Sequence, residues 1–163
     1  MSLARRLSVE ELSEVQTSPR ERARATAEAI GSASGAPVRV AEELDEIDFG
    51  DWTGAEFALL GGPLWDDWNT RRASARCPGG ESMTEASGRI GRHVDRLAAT
   101  RGGERIALVT HADMIRGLVA RVLALPLDNL LRFDIDPASV SRIEAGAWGA
   151  RVLSLNETVR MDA

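Results

Sequence analysis

The strongest structural signal in this chain lies in Ile106-Ala107-Leu108-Val109-Thr110-His111-Ala112-Asp113-Met114-Ile115-Arg116-Gly117-Leu118. Its first four residues are apolar and rich in branched side chains, which predicts a buried strand, and the apolar residues after them change to helical spacing. His111 stands where the predicted strand becomes a helix. Ligands bind at the carboxyl ends of strands in open α/β sheets, and the free amides of a helix start favour an anion. His111 is therefore well placed to contact phosphate.

A second strand-to-helix junction decides how the first one is interpreted, because a lone histidine after a strand is more often a hydrogen-bonded structural residue. The stretch Glu14-Val15-Gln16-Thr17 predicts a short strand, and Ser18-Pro19-Arg20-Glu21 is typical of a capping box with Ser18 as the N-cap. The helix is expected to end at Gly31 or Gly35 and carries Arg22 in its first turn. On an isolated helix Arg22 would be a solvated side chain, but two matching junctions favour a shared site.

Composition limits the classes of protein to which the chain can belong. Its 163 residues, 44% of them hydrophobic, predict a single domain over residues 1–163. The net charge of −5 disfavours a nucleic-acid partner held by a broad basic surface. No apolar run approaches a membrane span and no secretory signal is recognised, so we expect a cytoplasmic protein without a membrane partner. The single cysteine, Cys77, excludes an intrachain disulfide and, without other ligands nearby, predicts no metal site.

The remaining patterns predict alternating helices and strands. An acid-rich loop over residues 42–54 follows a short extended segment at residues 38–40, and one of its carboxylates is a candidate general acid if burial raises its pKa. Residues 55–68 predict a helical segment interrupted by Gly61-Gly62-Pro63, and Ser82 with Glu85 predicts the capped start of a long helix. Another short helix is expected from Pro126, followed by strands at residues 133–135, 139–144 and 150–155, the last two as a hairpin. This order predicts a three-layer α/β/α sandwich, mostly parallel with an antiparallel edge.

Four motifs, in this order along the chain, resemble the histidine phosphatase superfamily, which is the phosphoglycerate mutase-like group. They are Ser18-Pro19-x-x-Arg22-Ala23; Leu44-Asp45-Glu46 with Phe49-Gly50-Asp51-Trp52-x-Gly54; Pro78-Gly79-Gly80-Glu81-Ser82; and Val109-Thr110-His111. No single motif is decisive, but together they cover almost the whole chain.

The resemblance implies a reaction and a set of residues. In the family, an Arg-His-Gly histidine attacks the phosphoryl group and becomes phosphohistidine, a second histidine and two arginines hold the oxygens, and a carboxylate protonates the leaving oxygen. His111 resembles the second histidine, Arg22 the second arginine and Glu46 the proton donor. Ala112 stands where the family often has glycine, and its backbone amide still serves phosphate. The implied substrate is a small phosphorylated molecule, no metal or cofactor is needed, and Trp52, Glu81 and Ser82 are candidates for the substrate pocket.

The chain departs from the family at the nucleophile. The Arg-His-Gly element, which in the family precedes the helix matching Leu3 to Leu7, is absent, and the sequence contains only His93 and His111. Arg92-His93 is followed by Val94 within a helical pattern, which does not suit a nucleophile at a strand end. Loss of a nucleophile costs on the order of 10⁶ in rate in other covalent catalysts, so we expect this chain to be nearly inactive. The absence of the family's first strand is also expected to leave an open sheet edge, which is closed by pairing with a second copy or by a rearrangement of the edge.

Three functional hypotheses remain open at this stage. The first is a phosphomonoester hydrolase, or less readily a phosphomutase, because the segment between Glu56 and Ser82 leaves little room for elaborate substrate loops. The second is a natural pseudoenzyme that binds phosphorylated ligands or a protein partner. The third, a structural domain without a ligand, is disfavoured by three polar site residues at predicted strand ends.

Overall fold

The computed structural model describes residues 2–56 and 59–158. Five helices, five strands and three 3₁₀ helices are defined within these residues. The helices are α1 (Leu3–Leu7), α2 (Glu21–Ser34), α3 (Pro63–Thr70), α4 (Met83–Thr100) and α5 (Ala112–Val122). The strands are β1 (Glu14–Thr17), β2 (Val38–Val40), β3 (Ile106–Val109), β4 (Val140–Gly146) and β5 (Gly149–Glu157). The 3₁₀ helices span Glu42–Leu44, Gly50–Trp52 and Leu127–Arg132.

The central sheet has the order β2-β1-β3, and all three strands are parallel. In its register, Thr17 lies between Val40 and Val109, so the three strands end at one edge of the sheet. The amide of Ser18 donates to the carbonyl of Val109 at 2.9 Å and extends this alignment past the last paired residues. The predicted parallel sheet is confirmed, and its carboxyl edge brings the two strand-to-helix junctions side by side.

Two apolar clusters, one on each face of the sheet, make the three predicted layers. Val15 packs with Leu7, Ala27 and Ile30 from α1 and α2 on one face, where Ala107 joins them. The cluster on the other face includes Leu108 and buried residues of α3, α4 and α5: Trp68, Met83, Ala86, Ile90, Met114 and Leu118. Because successive side chains of a strand point to opposite faces, Ala107 and Leu108 belong to different clusters. The predicted α/β/α sandwich is confirmed.

The strand β3 is less buried than its sequence predicts. All four residues of Ile106–Val109 are half-buried, whereas those of the central strand β1 are fully buried. An apolar run indicates a strand, but its burial also depends on how many neighbouring strands it has. Because β3 pairs only with β1 among the described residues, one of its edges lacks a strand.

The two strands of the carboxyl-terminal hairpin pair with each other as predicted, but the hairpin does not lie at the predicted edge of the main sheet. Strands β4 and β5 pair antiparallel in a two-stranded sheet of their own, so the described antiparallel strands do not form an edge of the main sheet. The strand predicted at residues 133–135 is wrong, because this segment is an irregular connection after the third 3₁₀ helix. Its alternating pattern reflects the burial of Ile135 in the core, not strand pairing.

The helix starts agree with the predictions in one case and differ in the other. In α4, Ser82 and Glu85 form the predicted capping box, in which each side chain accepts from the other residue's backbone amide. The predicted capping box at Ser18 is wrong, because α2 begins at Glu21 and its N-cap, Arg20, makes no side-chain cap. Of the two predicted ends of this helix, Gly31 and Gly35, the structure has Gly35. Its φ of 78° is the left-handed conformation that glycine adopts readily at the end of a helix.

The helix predicted over residues 55–68 is found only in its second part. Helix α3 begins at Pro63, directly after Gly62 with a φ of 89°, and carries Trp65 and Trp68. Residues 57 and 58 lie outside the described part of the chain. No helix within residues 2–56 and 59–158 is both long and apolar enough to cross a membrane.

Candidate functional site

Three of the predicted site residues meet at the carboxyl edge of the sheet. A guanidinium nitrogen of Arg22, Nη2, lies 2.9 Å from Nδ1 of His111 and 3.4 Å from Oε2 of Glu46. The Glu46 carboxylate is itself 3.4 Å from the same histidine nitrogen. A cation, an imidazole and a carboxyl group therefore share one small region, although 24 or more residues separate them along the chain.

Each of these side chains is positioned by a different element of the fold. Arg22 lies in the first turn of α2, and His111 is the N-cap of α5, directly beyond β3. The loop carrying Glu46 is tied to both strand ends: the amide of Ala41 donates to the carbonyl of Thr17 at 2.9 Å, and the hydroxyl of Thr110 donates to the carbonyl of Leu44 at 2.6 Å. The site is therefore built from consecutive strand ends of a parallel sheet.

The hydrogen bonds of His111 define its tautomer. Because Arg22 can only donate, Nδ1 of His111 is the acceptor and the ring proton is on Nε2, which points at the hydroxyl of Ser18 at 2.8 Å. Ser18 in turn donates to Oδ1 of Asp45 at 3.2 Å, and Arg20 pairs with the same carboxylate oxygen at 2.8 Å. Burial, followed by the charge of Arg22, lowers the pKa of His111 to about 4. The imidazole is therefore neutral near pH 7.

The pKa of Glu46 is shifted in the opposite direction to that of His111. Its burial raises the pKa of the carboxyl to about 7, with a further rise from the charge of Asp113, while the amide of Ile47 and the charge of Arg22 act to lower it. A carboxyl group with a pKa near the working pH exists in both protonation states and is suited to donating or accepting a proton.

The anion-binding character of the site comes from Arg22 and from the start of α5. The Arg22 side chain is 66% exposed, so its guanidinium can reach a ligand arriving from solvent. Ala112 is the first residue of α5, where the amides of the first turn have no carbonyl partner within the helix. These amides and Arg22 offer the kind of donors that bind the oxygens of a phosphate ester.

The sequence matches the model of the histidine phosphatase superfamily, branch 1, over residues 1–158. The chain belongs to this superfamily. Among curated proteins, it is 30% identical to the adenosylcobalamin/α-ribazole phosphatase of Salmonella typhimurium over 133 residues, which cover 80% of this chain and 62% of that protein. It is 34% identical to a bifunctional protein of Mycobacterium tuberculosis over 148 residues, which cover 88% of this chain and 40% of that protein. The chain therefore spans less than two thirds of the length of either relative.

Solved structures of other proteins have the same fold. A mycobacterial glucosyl-3-phosphoglycerate phosphatase superposes with a TM-score of 0.82 at 25% identity, covering 96% of this chain and 82% of that one. Bacillus stearothermophilus YhfR superposes with a TM-score of 0.85 at 26% identity, covering 96% of this chain and 80% of that one. The phosphoglycerate mutase-like fold predicted from the motifs is confirmed.

The predicted pocket residues of this chain lie in different surroundings. The ring of Trp52 packs edge-on against Trp65, with centroids 5.3 Å apart, and against the buried Trp68 at 6.3 Å. Glu81 pairs with Arg89, and Ser82 caps α4. Glu81 also lines an open pocket together with Asp45, Glu46 and Arg89, whereas Trp52 is half-buried and is not part of that lining. The described polar contacts of Ser82 are made to the protein itself.

The other histidine of the chain, His93, lies apart from this set of contacts. It is buried within α4, where Nε2 lies 2.6 Å from Oε1 of Gln16 and Nδ1 lies 2.8 Å from Nη2 of Arg96. Burial lowers its pKa. The prediction that Arg92-His93 lies in a helix is confirmed, and both ring nitrogens of His93 already have partners.

Two acidic residues and a serine have roles that the motifs did not indicate. Ser18 and Asp45 orient the ring of His111, and Asp113 adds negative charge near Glu46. Arg72 and Arg116 hold Asp113 from two sides, at 3.1 Å and 3.0 Å. Asp113 lies in the first turn of α5, directly after the motif that ends at His111. This position is the signal in the sequence that could have indicated its role.

The described residues contain no group of three or more histidine, cysteine or acidic side chains arranged to hold a metal ion. Cys77 is buried in the core, and this burial raises the pKa of its thiol to about 12. It is therefore a packing residue in the described structure.

Proposed function

We propose that Arg22, His111 and Glu46 form the phosphomonoester site of a histidine phosphatase that acts on a small phosphorylated substrate. The observation that carries this proposal is the grouping of an exposed guanidinium, a neutral imidazole and a carboxyl group of raised pKa within 3.4 Å of one another at the strand ends. The names of the relatives, an α-ribazole phosphatase and a glucosyl-3-phosphoglycerate phosphatase, support hydrolysis over phosphoryl mutation.

Each residue has a defined chemical role in this proposal. Arg22 and the first amides of α5, beginning at Ala112, bind the non-bridging oxygens. The imidazole of His111 is neutral in the free site, and a bound phosphate dianion raises its pKa and so favours its protonated form. Glu46 donates its proton to the leaving oxygen as the P–O bond breaks. After an alcohol has left, the Glu46 carboxylate accepts a proton from the water that attacks the phosphorylated nucleophile.

The nucleophile in this scheme is a histidine that forms an N–P bond as the P–O bond breaks. His111 is engaged by Arg22 and Ser18, and His93 by Gln16 and Arg96, so neither has a free ring nitrogen among the described contacts. We therefore propose that the 163 residues bind a phosphate ester but turn it over very slowly. A histidine on a further strand would complete the site, because a strand paired parallel to the free edge of β3 would end beside His111.

The alternative function is a pseudoenzyme that binds phosphorylated ligands or a protein partner. The hydrogen bonds made by both ring nitrogens of His111 and of His93 favour this alternative, because they leave neither histidine free to attack phosphorus. The groups that bind phosphate do not depend on a nucleophile. The cytoplasmic location expected from the sequence stays a prediction under both functions.

A calorimetric titration with inorganic phosphate tests the binding part of the proposal. We expect binding of one phosphate per chain, weakened by added salt because the contact to Arg22 is electrostatic. Absence of binding at millimolar phosphate would contradict both the phosphatase and the pseudoenzyme proposals.

The open edge of β3 leads to a separate prediction about assembly. Edge strands expose unpaired backbone groups that pair readily with another chain, and within the described residues β3 is half-buried and has a strand on one side only. We expect the chain to associate with a second copy through this edge, so that the mass measured by light scattering rises with protein concentration. A constant monomer mass at all concentrations would contradict this prediction.

A further inference from the structure

The side chain of Arg89 reaches from helix α4 into the loop that carries Glu46. Its Nη1 donates to the carbonyls of Glu43 and Asp45, both at 3.0 Å, and its Nη2 donates to the carbonyl of Glu46 at 3.3 Å. With the carbonyl of Glu42, which lies 3.5 Å from Nη1, four backbone carbonyls of residues 42–46 therefore converge on a single guanidinium. Buried carbonyls need donors, and a guanidinium supplies five N–H groups in a fixed plane.

Glu81 fixes the Arg89 guanidinium from the other side. One carboxylate oxygen accepts from Nε of Arg89 at 3.2 Å and the other accepts from Nη2 at 2.8 Å, which is a two-point pair. The second oxygen also accepts from the amide of Asp48 at 3.0 Å. Glu81 and Arg89 together hold the loop on both sides of Glu46, at residues 43–46 and at residue 48.

The loop needs this support because it has little regular structure. The five residues between the 3₁₀ helix at Glu42–Leu44 and the one at Gly50–Trp52 belong to no strand or helix. The side chain of Glu46 nevertheless has to stay beside His111 and Arg22, with only 20% of its surface exposed. A displaced backbone would turn this carboxyl group into water.

We propose that Arg89, held by Glu81, is the positioning residue that fixes the Glu46 carboxyl group against His111 and Arg22. The catalytic meaning of this placement rests on the proposed function, but the placement itself can be measured without any turnover. Arg89 acts through the backbone and through Glu46, and does not itself touch the reacting group.

The test is an NMR titration of the Glu46 side-chain carboxyl carbon in the 163-residue chain and in two Arg89 variants. In Arg89→Met we expect the pKa of Glu46 to fall by about 1 or more, from about 7 towards 4.5, because the carboxyl group becomes hydrated. Loss of the Arg89 charge alone would move this pKa in the opposite direction. Arg89→Lys keeps the charge but not the planar donors, so we expect it to behave like Arg89→Met.

Two further variants make the result specific. Arg92→Met removes an exposed arginine one turn further along α4, and we expect it to leave the Glu46 titration unchanged. Glu81→Gln removes the charged partner of Arg89, and we expect a fall in the pKa of Glu46 in the same direction as in Arg89→Met. If Arg89→Met does not fold, Arg89→Lys and Glu81→Gln decide the question.

Phosphate titrations of the same proteins separate this inference from the proposed function. Arg89→Lys keeps Arg22, His111 and the positive charge of residue 89, so we expect its affinity for inorganic phosphate to change by less than about threefold. An unchanged or raised Glu46 pKa in Arg89→Met, Arg89→Lys and Glu81→Gln would overturn the positioning role. Absence of phosphate binding by the unmodified chain would overturn the proposed function and leave the titration result valid.

Discussion

Replacing Arg22 with methionine is expected to weaken the binding of inorganic phosphate by about 10- to 100-fold. A hydrogen bond to a charged group contributes about 1.5–3 kcal/mol, and each 1.4 kcal/mol corresponds to about a factor of ten in affinity. Methionine keeps much of the length and the apolar stem of the side chain but removes every donor. Because the Arg22 side chain is 66% exposed, we expect the midpoint of thermal unfolding to stay close to that of the unmodified protein.

Arg24→Met is the matched control for this experiment. Arg24 is exposed on the same helix, two residues further along, and carries the same charge. We expect its phosphate affinity to equal that of the unmodified chain within the error of calorimetry. Equal losses in the two variants would mean that phosphate responds only to net charge, and the assignment of Arg22 to the site would then be wrong.

Replacing Glu46 with glutamine is expected to stabilise the protein by about 1–3 kcal/mol at pH 8, and not at all near pH 4. The pKa of Glu46 is raised from 4.5 to about 7 in the folded protein, so folding favours the protonated form. This contribution to stability is fully present below pH 4.5 and is lost as the pH rises through 7. Glutamine is neutral throughout and does not suffer this loss.

The pKa of His111 is shifted in the opposite direction to that of Glu46, so the two groups change the free energy of unfolding with opposite dependence on pH. Its pKa is lowered from 6.5 to about 4, so its contribution is present above pH 6.5 and is lost as the pH falls towards 4. In the unmodified protein the two effects oppose each other between pH 4.5 and 6.5. We therefore expect the unfolding free energy of Glu46→Gln to rise over this range relative to that of the unmodified chain.

Urea unfolding of both proteins between pH 4 and 8 measures this difference directly. Glu28→Gln is the control, because Glu28 is exposed on α2 and lies outside the described site. Identical pH profiles for Glu46→Gln and the unmodified chain would show that Glu46 is not held in a buried position. The gain in stability on removing Glu46 would be typical of a group retained for activity and not for folding.

The junctions that carry Arg22 and His111 could be predicted from the sequence because each is a local pattern. A strand of four residues followed by a helix leaves a clear change in apolar spacing, and parallel strands must end at the same edge. Glu46 could not be chosen among the acidic residues of its loop by spacing alone, and it was assigned through the resemblance of Leu44-Asp45-Glu46 to the family motif.

The errors arose where a residue's partner lies far away along the chain. Serine is a residue type that often caps helices, but the hydroxyl of Ser18 interacts with His111 and Asp45, and the helix begins three residues later. The burial of β3 depends on a neighbour that an apolar run does not reveal. Arg89 contacts a loop more than 40 residues earlier, and no local pattern distinguishes it from the other arginines of its helix.

The most direct test of the account is the hydrolysis of 4-nitrophenyl phosphate by the 163-residue chain and by a form extended upstream to include any encoded Arg-His-Gly. The account predicts that the chain of 163 residues binds phosphate but releases nitrophenol far more slowly than the extended form. The extended form is expected to hydrolyse the ester, and His111→Ala in that form is expected to abolish most of this activity. Equal hydrolysis by the two forms, or an extended form indifferent to His111→Ala, would contradict the account.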